Sequence, residues 1–329
     1  MRLRVLLHGR AVGVLEQVAG RWAFTFDEAY LTLSERPVLG RWFEDRLVRD
    51  PGCHGVDGGL PAFFQNYLPE QGTALRALLA TQNGVDPQRE GHLLLALADD
   101  LPGALEVRRE GTALSDEEPV ARWVSPESAL RFSLAGLVLK SSVVEREQRL
   151  VMPATGAGTR WIAKFPDRPM PNPEGVVPVD RPRHEFVVME LAHLSGLAVA
   201  RTKLFDVADV DLPPGVAFPE RTVFAAERFD RDPDGGRIHQ EDFAQVLGRA
   251  PHDKYDRYAT STLSAKLHAL GRIVHAVCGP ADFDEFLRRT VFNLLVGNSD
   301  AHLKNWSLVY PDRRTARLSP AYDLNATVA

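Results

Sequence analysis

The sequence predicts an α+β fold in which strand-rich stretches come first and long helices follow. Short runs with strand-like alternation occur near the N-terminus and again over residues 131–165. The C-terminal third instead carries apolar residues at helical spacing. Hydrophobic residues make up 44% and charged residues 25% of the 329 positions, a composition typical of a globular protein with room for about two or three domains.

Residues 1–108 are predicted to form a compact α+β subdomain. Strands are expected at Leu3–Leu7, Trp22–Phe26 and Tyr30–Leu33. Helices are expected over "TALRALLATQNG", which ends at a glycine suited to a left-handed C-cap, and over "EGHLLLALADD". The polar stretch "RREGTALSDEEPV" lacks periodicity and is predicted to be a linker.

A second part, again rich in strands, is predicted after this linker. It begins near "FSLAGLVLKSSVV" and includes the strand "RWIAKFPD". Side chains of that strand alternate between two faces, with Trp161, Ala163 and Phe165 on one and Ile162 and Lys164 on the other. A lysine in so apolar a strand needs an anionic partner.

Two helices are predicted from apolar periodicity. In "HEFVVMELAHLSGL" the apolar positions are Val187, Leu191 and Leu194. In "ADFDEFLRRTVFNLLVGN" a core-facing stripe is predicted from Phe283, Phe286, Leu287, Thr290, Val291, Leu294 and Leu295. Gly297 is expected to end the second helix, and a short hairpin, "WSLVY", "PDRR" and "ARLSPAYDL", is expected after it.

Charge and cysteine content exclude several classes of function. The net charge of -5 gives no basic footprint, so any DNA contact is expected to be indirect. Cys53 and Cys278 lie far apart, which indicates neither a disulfide framework nor a zinc site. The N-terminus lacks a signal-peptide pattern, and no apolar run approaches the roughly 20 residues that span a bilayer. We therefore expect a cytoplasmic protein that does not contact a membrane.

The stretch "VGNSDAHLKNWSL" concentrates chemically useful side chains after an apolar helix. Asp300 and Asn305 have four residues between them, and Asp323 follows beyond the predicted hairpin. A carboxylate to orient a hydroxyl, together with an amide and a second carboxylate to hold Mg²⁺, suits phosphoryl transfer. Upstream, the small-residue loop "SLAG" and Lys164 can approach phosphates, and the parts follow the order found in protein kinases.

Each of these features also has a simpler reading. A strand lysine such as Lys164 is more often a solvated edge residue, and "SLAG" is more often a turn. Glu185 fits a charge placed at a helix N-terminus by the helix dipole. The Asp300–Asn305 cluster fits a hydrogen-bonded turn that caps the preceding helix, and His302 has no second histidine at metal-ligand spacing.

Further motifs run along the chain in a fixed order, from "FSLAG…K", "WIAKFP" and "HEFVVMELA" through "ERFDR", "HQEDFAQVLG" and "GNSDAHLKNWSL" to "LSPAYDL". In order and spacing they resemble the HipA family of toxin serine/threonine kinases. The front end, with "GRAVGVLEQ", "PAFFQNYLPE" and "LLALADDLPGALEV", is similar to the N-terminal subdomain of HipA proteins. The resemblance implies a two-lobed, protein-kinase-like (HipA-like) α+β fold, with an extra N-terminal α/β subdomain at 1–108, an N-lobe at 109–228 and a C-lobe at 229–329.

The resemblance also implies roles for individual residues. Asp300 would be the catalytic base, Asn305 and Asp323 would bind Mg²⁺, and Ser133 would be the site of inactivating autophosphorylation. The implied ATP-binding residues are Ala135, Gly136, Leu137, Val138, Leu139, Lys140, Lys164, Glu227, Arg228, Phe229, His302, Leu303, Lys304, Asn305, Tyr322 and Asp323. Among these, Glu227–Phe229 would offer backbone groups to adenine. Val138 departs from the glutamine that is usual in the family's phosphate loop, so one polar contact is expected to be lost.

The implied activity is transfer of the ATP γ-phosphate to a serine or threonine of a protein target, such as an aminoacyl-tRNA synthetase. The implied partner is a HipB-like helix-turn-helix antitoxin, through which DNA would be bound. Family members continue past Asp323 into further helices, so the C-lobe is expected to be incomplete here and the 283–295 stripe partly uncovered. An inactive remnant that still binds antitoxin, and a small-molecule phosphotransferase, stay open as alternatives.

Overall fold

The structure, a computed structural model, describes residues 1–46, 52–56, 58–110, 140–151, 159–166, 180–211, 221–255 and 263–327. Contacts divide the chain into two compact units. Unit 1 consists of Met1–Pro119, Asp230–Phe283 and His302–Ser319, and unit 2 of Val120–Phe229, Asp284–Ala301 and Pro320–Ala329. The N-terminal segment thus shares a unit with segments expected to belong to the C-lobe, while the domain boundaries at 108 and 228 stay a prediction. Within these described ranges, no helix is long and apolar enough to cross a membrane.

The N-terminal segment of unit 1 folds into an antiparallel sheet of order β4-β3-β2-β1-β5. Its strands are β1 (Arg2–Leu7), β2 (Arg10–Val18), β3 (Arg21–Phe26), β4 (Gly52–His54) and β5 (Leu105–Arg109). The accompanying helices are α1 (Glu28–Leu31), α2 (Arg41–Glu44), α3 (Ala62–Gln65), α4 (Ala74–Gln82) and α5 (Glu90–Ala96). Their apolar side chains form one core that is rich in tightly packed aromatic rings, among them Phe24, Phe43 and Phe64.

The predicted strand at Tyr30–Leu33 is wrong, because its first two residues belong to the short helix α1. The backbone N–H groups of Tyr30 and Leu31 donate to the Asp27 carbonyl and so start a helical turn. That turn brings the Tyr30 ring into a stack on Phe26 at 5.6 Å, and its hydroxyl donates to the Pro37 carbonyl. Burial of one large ring thus outweighs the strand-like alternation.

Unit 1 also contains a second antiparallel sheet, of order β12-β13-β14. Its strands are β12 (His239–Asp242), β13 (Ser307–Tyr310) and β14 (Arg317–Leu318), which confirms the predicted hairpin, and they pack with α7 (Phe243–Val246) and α8 (Leu263–Cys278). Glu241 on β12 accepts hydrogen bonds from the Arg41 backbone N–H and the Tyr310 hydroxyl. It therefore caps α2 of the N-terminal segment, and its burial raises the pKa of its carboxyl to about 8.

The buried Glu241 makes the stability of the protein depend on pH. A folded-state pKa of about 8 against an ordinary 4.5 gives a contribution that is fully present below pH 4.5 and is lost as pH rises through 8. Glu241→Gln removes this loss. The unfolding free energy of the variant minus that of wild type should therefore be larger at pH 8 than at pH 5, by a few kcal/mol. Urea unfolding at both pH values checks this, with the exposed Glu28→Gln as control. A difference equal at both pH values would contradict the assignment.

Unit 2 contains a sheet of order β10-β7-β6-β8-β11-β9. Its strands are β6 (Lys140–Arg146), β7 (Arg149–Val151), β8 (Trp161–Lys164), β9 (Thr202–Asp206), β10 (Val210–Asp211) and β11 (Thr222–Glu227). The pairing of β10 with β7 is parallel and the other pairings are antiparallel. The helix α6 (Arg181–Leu194) packs against this sheet through β9 and β11.

The α6 helix is confirmed, but the face expected to be apolar points outward. Val187, Leu191 and Leu194 are 56%, 48% and 81% exposed. The buried face instead carries Pro182, Glu185, Val188, Met189 and Ala192. The helix is rotated so that the Glu185 carboxylate lies inside, where it meets Lys164.

The helix α9 (Pro280–Leu295) is also confirmed, while its predicted stripe is only partly buried. Within the stripe, Phe286 is buried and Phe283 is half-buried. Phe292, which lies outside the predicted stripe, is also buried and packs into a core with Met189 of α6 and with Ala321. The remaining large apolar residues of the stripe are exposed: Leu287, Val291, Leu294 and Leu295. This arrangement corrects the core-facing prediction for these four and fits the expectation of a partly uncovered stripe.

The two faces of α9 should differ sharply when truncated. Phe292→Ala removes a buried ring and should lower the unfolding free energy by about 3–5 kcal/mol. Leu295→Ala, at a side chain that is 81% exposed, should change it by less than about 0.5 kcal/mol. Chemical denaturation of both variants measures the contrast. Comparable losses would show that the exposed face is covered in solution.

Candidate active site

Lys164 lies at the end of β8 and is buried in unit 2. Its ammonium forms an ion pair with the Glu185 carboxylate on α6 and a second one with Oδ1 of Asp323 at 2.5 Å. The sequence pattern predicted an anionic partner for this lysine, and the structure provides two. Glu185 was absent from the predicted site residues, although its place early in the helix after the lysine strand was a usable signal.

Opposing electrostatic effects act on Lys164. Burial alone lowers the pKa of its ammonium, but the neighbouring carboxylates of Asp323 and Glu185 raise the pKa to about 12. The lysine therefore keeps its charge at neutral pH. One ammonium against two carboxylates leaves an excess of negative charge, and the side chain of Asp323 is 27% exposed whereas that of Glu185 is 7% exposed. Asp323 is thus the carboxylate that a cation can reach.

The backbone at Asp323 adopts an unusual conformation. Its φ of 57° lies in the left-handed region, which costs a non-glycine residue about 1–3 kcal/mol and occurs preferentially at functional sites. Neighbouring contacts hold it there, because Ala321 exchanges backbone hydrogen bonds with the Ala198–Ala200 stretch and Leu324 is buried in the core. The preceding Tyr322 ring packs against Phe229 at a centroid distance of 5.3 Å.

Asp300 follows α9 in unit 2, and a network of side chains fixes its backbone. Gly297, with a φ of 68°, ends the helix. The buried Asn298 then accepts from the Asp300 backbone N–H at 3.2 Å and donates to Asn293 Oδ1 at 2.8 Å. The Ser299 backbone N–H donates to Thr327 Oγ1 at 2.7 Å. Sequence reasoning missed these supporting residues, although the amide two positions before the aspartate was visible.

The second half of the motif belongs to unit 1, because the chain passes from unit 2 to unit 1 between Ala301 and His302. Residues Leu303–Asn305 form a 3₁₀ turn, in which the Asn305 N–H donates to the His302 carbonyl at 2.9 Å. The Leu303 N–H donates to the Lys254 carbonyl, and the His302 ring lies edge-on to Tyr255. The Lys304 ammonium is engaged with Asn66 and Asp242, so its predicted contact with nucleotide stays a prediction.

The segment Glu227–Phe229, predicted to offer backbone groups to adenine, joins β11 to the next segment. Its first two N–H groups are used within the sheet region, since Glu227 donates to the Arg201 carbonyl and Arg228 to the Arg160 carbonyl, both at 2.8 Å. The Glu227 carboxylate pairs with the side chains of the same two arginines. Adenine recognition here would therefore depend on other backbone groups of the segment.

Several predicted site residues lie outside the described residues, namely Ser133, Ala135, Gly136, Leu137, Val138 and Leu139. Lys140 is described as the first residue of β6, where its backbone pairs with that of Lys164. The predicted phosphate loop thus leads directly into the strand beside the buried lysine.

The predicted Mg²⁺ ligands fall in different units, Asp323 in unit 2 and Asn305 in unit 1. Among the described residues, no group of three or more His, Cys, Asp or Glu side chains is placed to hold a metal ion. A carboxylate and an amide are nevertheless the oxygen ligands that Mg²⁺ takes when substrate phosphates and water complete its shell. Each of the two residues is therefore of a type that can bind a nucleotide-bound Mg²⁺, and their joint role in one metal site stays a prediction.

Comparison with known proteins now decides the family. The family model described as HipA N-terminal domain matches residues 3–108, and the HipA-like C-terminal domain matches residues 132–329. The chain belongs to the HipA family. In Sinorhizobium fredii the putative kinase Y4dM is 41% identical over 99% of this chain and 77% of its own length, and the putative kinase Y4mE is 32% identical over the same shares.

More distant HipA proteins extend the likeness. The serine/threonine-protein kinase toxin HipA of Shewanella oneidensis is 26% identical over 82% of this chain and 64% of its own length. A solved complex of S. oneidensis HipA, HipB and its operator DNA matches with a TM-score of 0.68 and 21% identity, over 98% of this chain and 76% of that one. The expected HipA-like, mixed α/β kinase-like fold is thereby confirmed.

Removal of the Lys164 ammonium should leave the carboxylates of Glu185 and Asp323 without their cationic partner. Lys164→Met should lower the unfolding free energy at pH 7 by about 2–4 kcal/mol, with part of the cost relieved because Asp323 reaches solvent. This loss of unfolding free energy should become smaller as pH falls toward about 4, because protonation neutralises the two carboxylates. Lys203→Met, which breaks a more exposed pair with Glu145 in the same sheet, is the matched control and should cost under about 1 kcal/mol. A loss independent of pH would contradict this account.

Proposed function

We propose that this HipA-family chain is an ATP- and Mg²⁺-dependent kinase that transfers the γ-phosphate to a serine or threonine hydroxyl of a protein. One observation carries the proposal: the buried Lys164 pairs with a helix glutamate, Glu185, and with Asp323, whose backbone is left-handed. In protein kinases a strand lysine paired with a helix glutamate, together with a metal-binding aspartate, is the arrangement required for activity. The family membership and fold support the same reading.

Each residue has a role that follows from its surroundings. Lys164 stays protonated and is held by Glu185, so it can neutralise and orient phosphate oxygens. Asp323 and Asn305 supply the oxygen ligands that would hold Mg²⁺, which neutralises charge on the phosphates when bound. Asp300, exposed and fixed through its backbone by Asn298, accepts the proton of the substrate hydroxyl.

The proposed acceptor and partners are those that the family resemblance implies. The S. oneidensis complex contains HipB and operator DNA, so we propose a HipB-like antitoxin partner that carries the DNA contact. The net charge of -5 supports this division of labour, because the chain has no basic footprint of its own. The proposed substrate is a protein of translation such as an aminoacyl-tRNA synthetase, and the three-part division at 1–108, 109–228 and 229–329 is part of this proposal.

Autophosphorylation is proposed to switch the enzyme off. Ser133 lies two residues before the predicted phosphate loop at Ala135–Lys140. A phosphate on Ser133 adds about 1.5–2 negative charges next to the loop that is proposed to hold the nucleotide phosphates. Repulsion between the two would expel the loop. Ser133→Ala should therefore prolong activity and remove the main phosphosite. A time course of phosphate transfer measures the first effect, and peptide mass spectrometry locates the phosphate. Phosphate found mainly at another residue in wild type would contradict the assignment.

The two aspartates should fail in different ways. Asp323→Asn should abolish Mg²⁺-dependent ATP binding, whereas Asp300→Asn should keep that binding and lower phosphoryl transfer by about 10²–10⁴-fold. Calorimetric ATP titration and incorporation of radiolabelled γ-phosphate into protein measure the two effects, with the exposed Asp284→Asn as control. Full transfer by Asp300→Asn would exclude it as the base. Transfer to a small alcohol or amine instead of protein would favour a small-molecule phosphotransferase.

A further inference from the structure

Lys304 sits at the centre of a polar node within unit 1 that joins distant parts of the chain. Its ammonium donates to the Asn66 carbonyl at 3.0 Å, to Asn66 Oδ1 at 2.9 Å and to Asp242 Oδ2 at 2.6 Å. These three acceptors match the three N–H donors of an ammonium group. The residue is thus engaged by the protein, in a turn where the family resemblance implies contact with nucleotide.

Asn66, the first partner, is itself held on both sides. It is buried just after α3, and its amide group donates to the Ala62 carbonyl at 2.9 Å and to the Arg249 carbonyl at 2.7 Å. Every polar group of its side chain therefore has a partner, and its position is set by both the N-terminal segment and the segment after α7. A residue that is fixed in this way also fixes the group that it binds, which here is the Lys304 ammonium.

Asp242, the second partner, caps α7. Its Oδ1 accepts from the Gln245 backbone N–H at 2.9 Å and the Gln245 side chain accepts from the Asp242 N–H, which completes a capping box. The Gln245 side chain also donates to the Phe63 carbonyl at 3.1 Å in the N-terminal segment. Both partners of Lys304 are therefore locked to the N-terminal segment.

Lys304 lies in the middle of the 3₁₀ turn Leu303–Asn305, and the turn is held from two directions. The Lys304 side chain fixes it to Asn66 and Asp242, and the Leu303 backbone N–H fixes it to the Lys254 carbonyl at 3.0 Å. Asn305, which carries the proposed metal-binding amide, is the next residue. A side-chain anchor one residue from a ligand leaves that ligand little freedom to move.

We propose that Lys304 is a positioning residue that ties the 3₁₀ turn, and with it Asn305, to Asn66 of the N-terminal segment. The N-terminal segment then contributes to catalysis, because Asn66 holds Asn305 in position through Lys304. This inference rests on the proposed kinase function for its consequence in catalysis. The tether itself rests only on the contacts described.

The tether makes a prediction opposite to that of a direct phosphate contact. Loss of positioning lowers kcat while ATP affinity is nearly kept, because the metal-binding amide is misplaced by a fraction of an ångström to about 1 Å. Loss of a charge on the phosphates would raise the KM for ATP. Asn66 distinguishes the two, since it binds Lys304 and carries no charge of its own.

The experiment compares Lys304→Met, Asn66→Ala and the double variant of the full chain. Each single variant should lower kcat by about 10–100-fold with the KM for ATP changed less than about threefold, and the double variant should be no worse than the single ones. Lys203→Met is the matched control, because it breaks a lysine–carboxylate pair with Glu145 that lies in unit 2 and holds no part of the turn. It should leave kcat unchanged.

Hydrogen exchange of a peptide covering 298–308 provides a readout that needs no activity. Exchange at Leu303 and Asn305 should speed up in Lys304→Met and Asn66→Ala and stay as in wild type in Lys203→Met. Thermal melting checks that each variant is folded, and Lys304→Met, which keeps the apolar stem, tests the tether if Asn66→Ala does not fold.

Two results would overturn the inference: unchanged exchange in Lys304→Met, or a raised KM for ATP in Lys304→Met with a silent Asn66→Ala. A wild-type chain without phosphorylation would instead overturn the proposed function, and the exchange data would then decide the tether by themselves.

Discussion

The buried ammonium of Lys164 is the constraint on which unit 2 depends. A charge in a protein interior must be compensated, and Glu185 and Asp323 compensate this one. To do so, α6 must turn its glutamate inward, which leaves Val187, Leu191 and Leu194 at the surface. The segment after the hairpin must also bring Asp323 to the lysine, and it does this with a left-handed backbone. The sheet, α6 and the segment that carries Asp323 are thus all held together by contacts with one charged group.

Unit 1 is also held together by polar contacts between distant segments of the chain. Glu241 binds the N-terminus of α2 and the Tyr310 hydroxyl, and Arg231 joins Asp230 to Asp100 at 2.9 Å and 3.0 Å. Lys304 adds a third such link, to Asn66. Each link connects the N-terminal segment to residues of the later segments 230–283 or 302–319. Buried and half-buried polar links of this kind are specific in geometry, so they fix how the segments fit together within the unit.

Much of the fold and part of the site could be predicted from the sequence, because they depend on local patterns. Strands, helices and the hairpin follow from periodicity, and the need of Lys164 for an anionic partner follows from its apolar strand. The buried faces of α6 and α9 could not be predicted, because Glu185 and Arg289 are buried on helix faces that were expected to be polar and exposed. The partners of Lys304 were also out of reach, since Asn66 lies 238 positions away in the sequence.

The central claim is that Lys164 lies in a nucleotide site, and a lysine-acylating ATP analogue tests it most directly. An acyl-phosphate ATP probe transfers its acyl group to an amine beside the bound phosphates, and peptide mass spectrometry identifies the modified lysine. Our account predicts acylation of Lys164 that is suppressed by excess MgATP, while the more exposed Lys203 of the same sheet reacts without regard to ATP. Absence of acylation at Lys164, or acylation there that excess MgATP leaves unchanged, would contradict it.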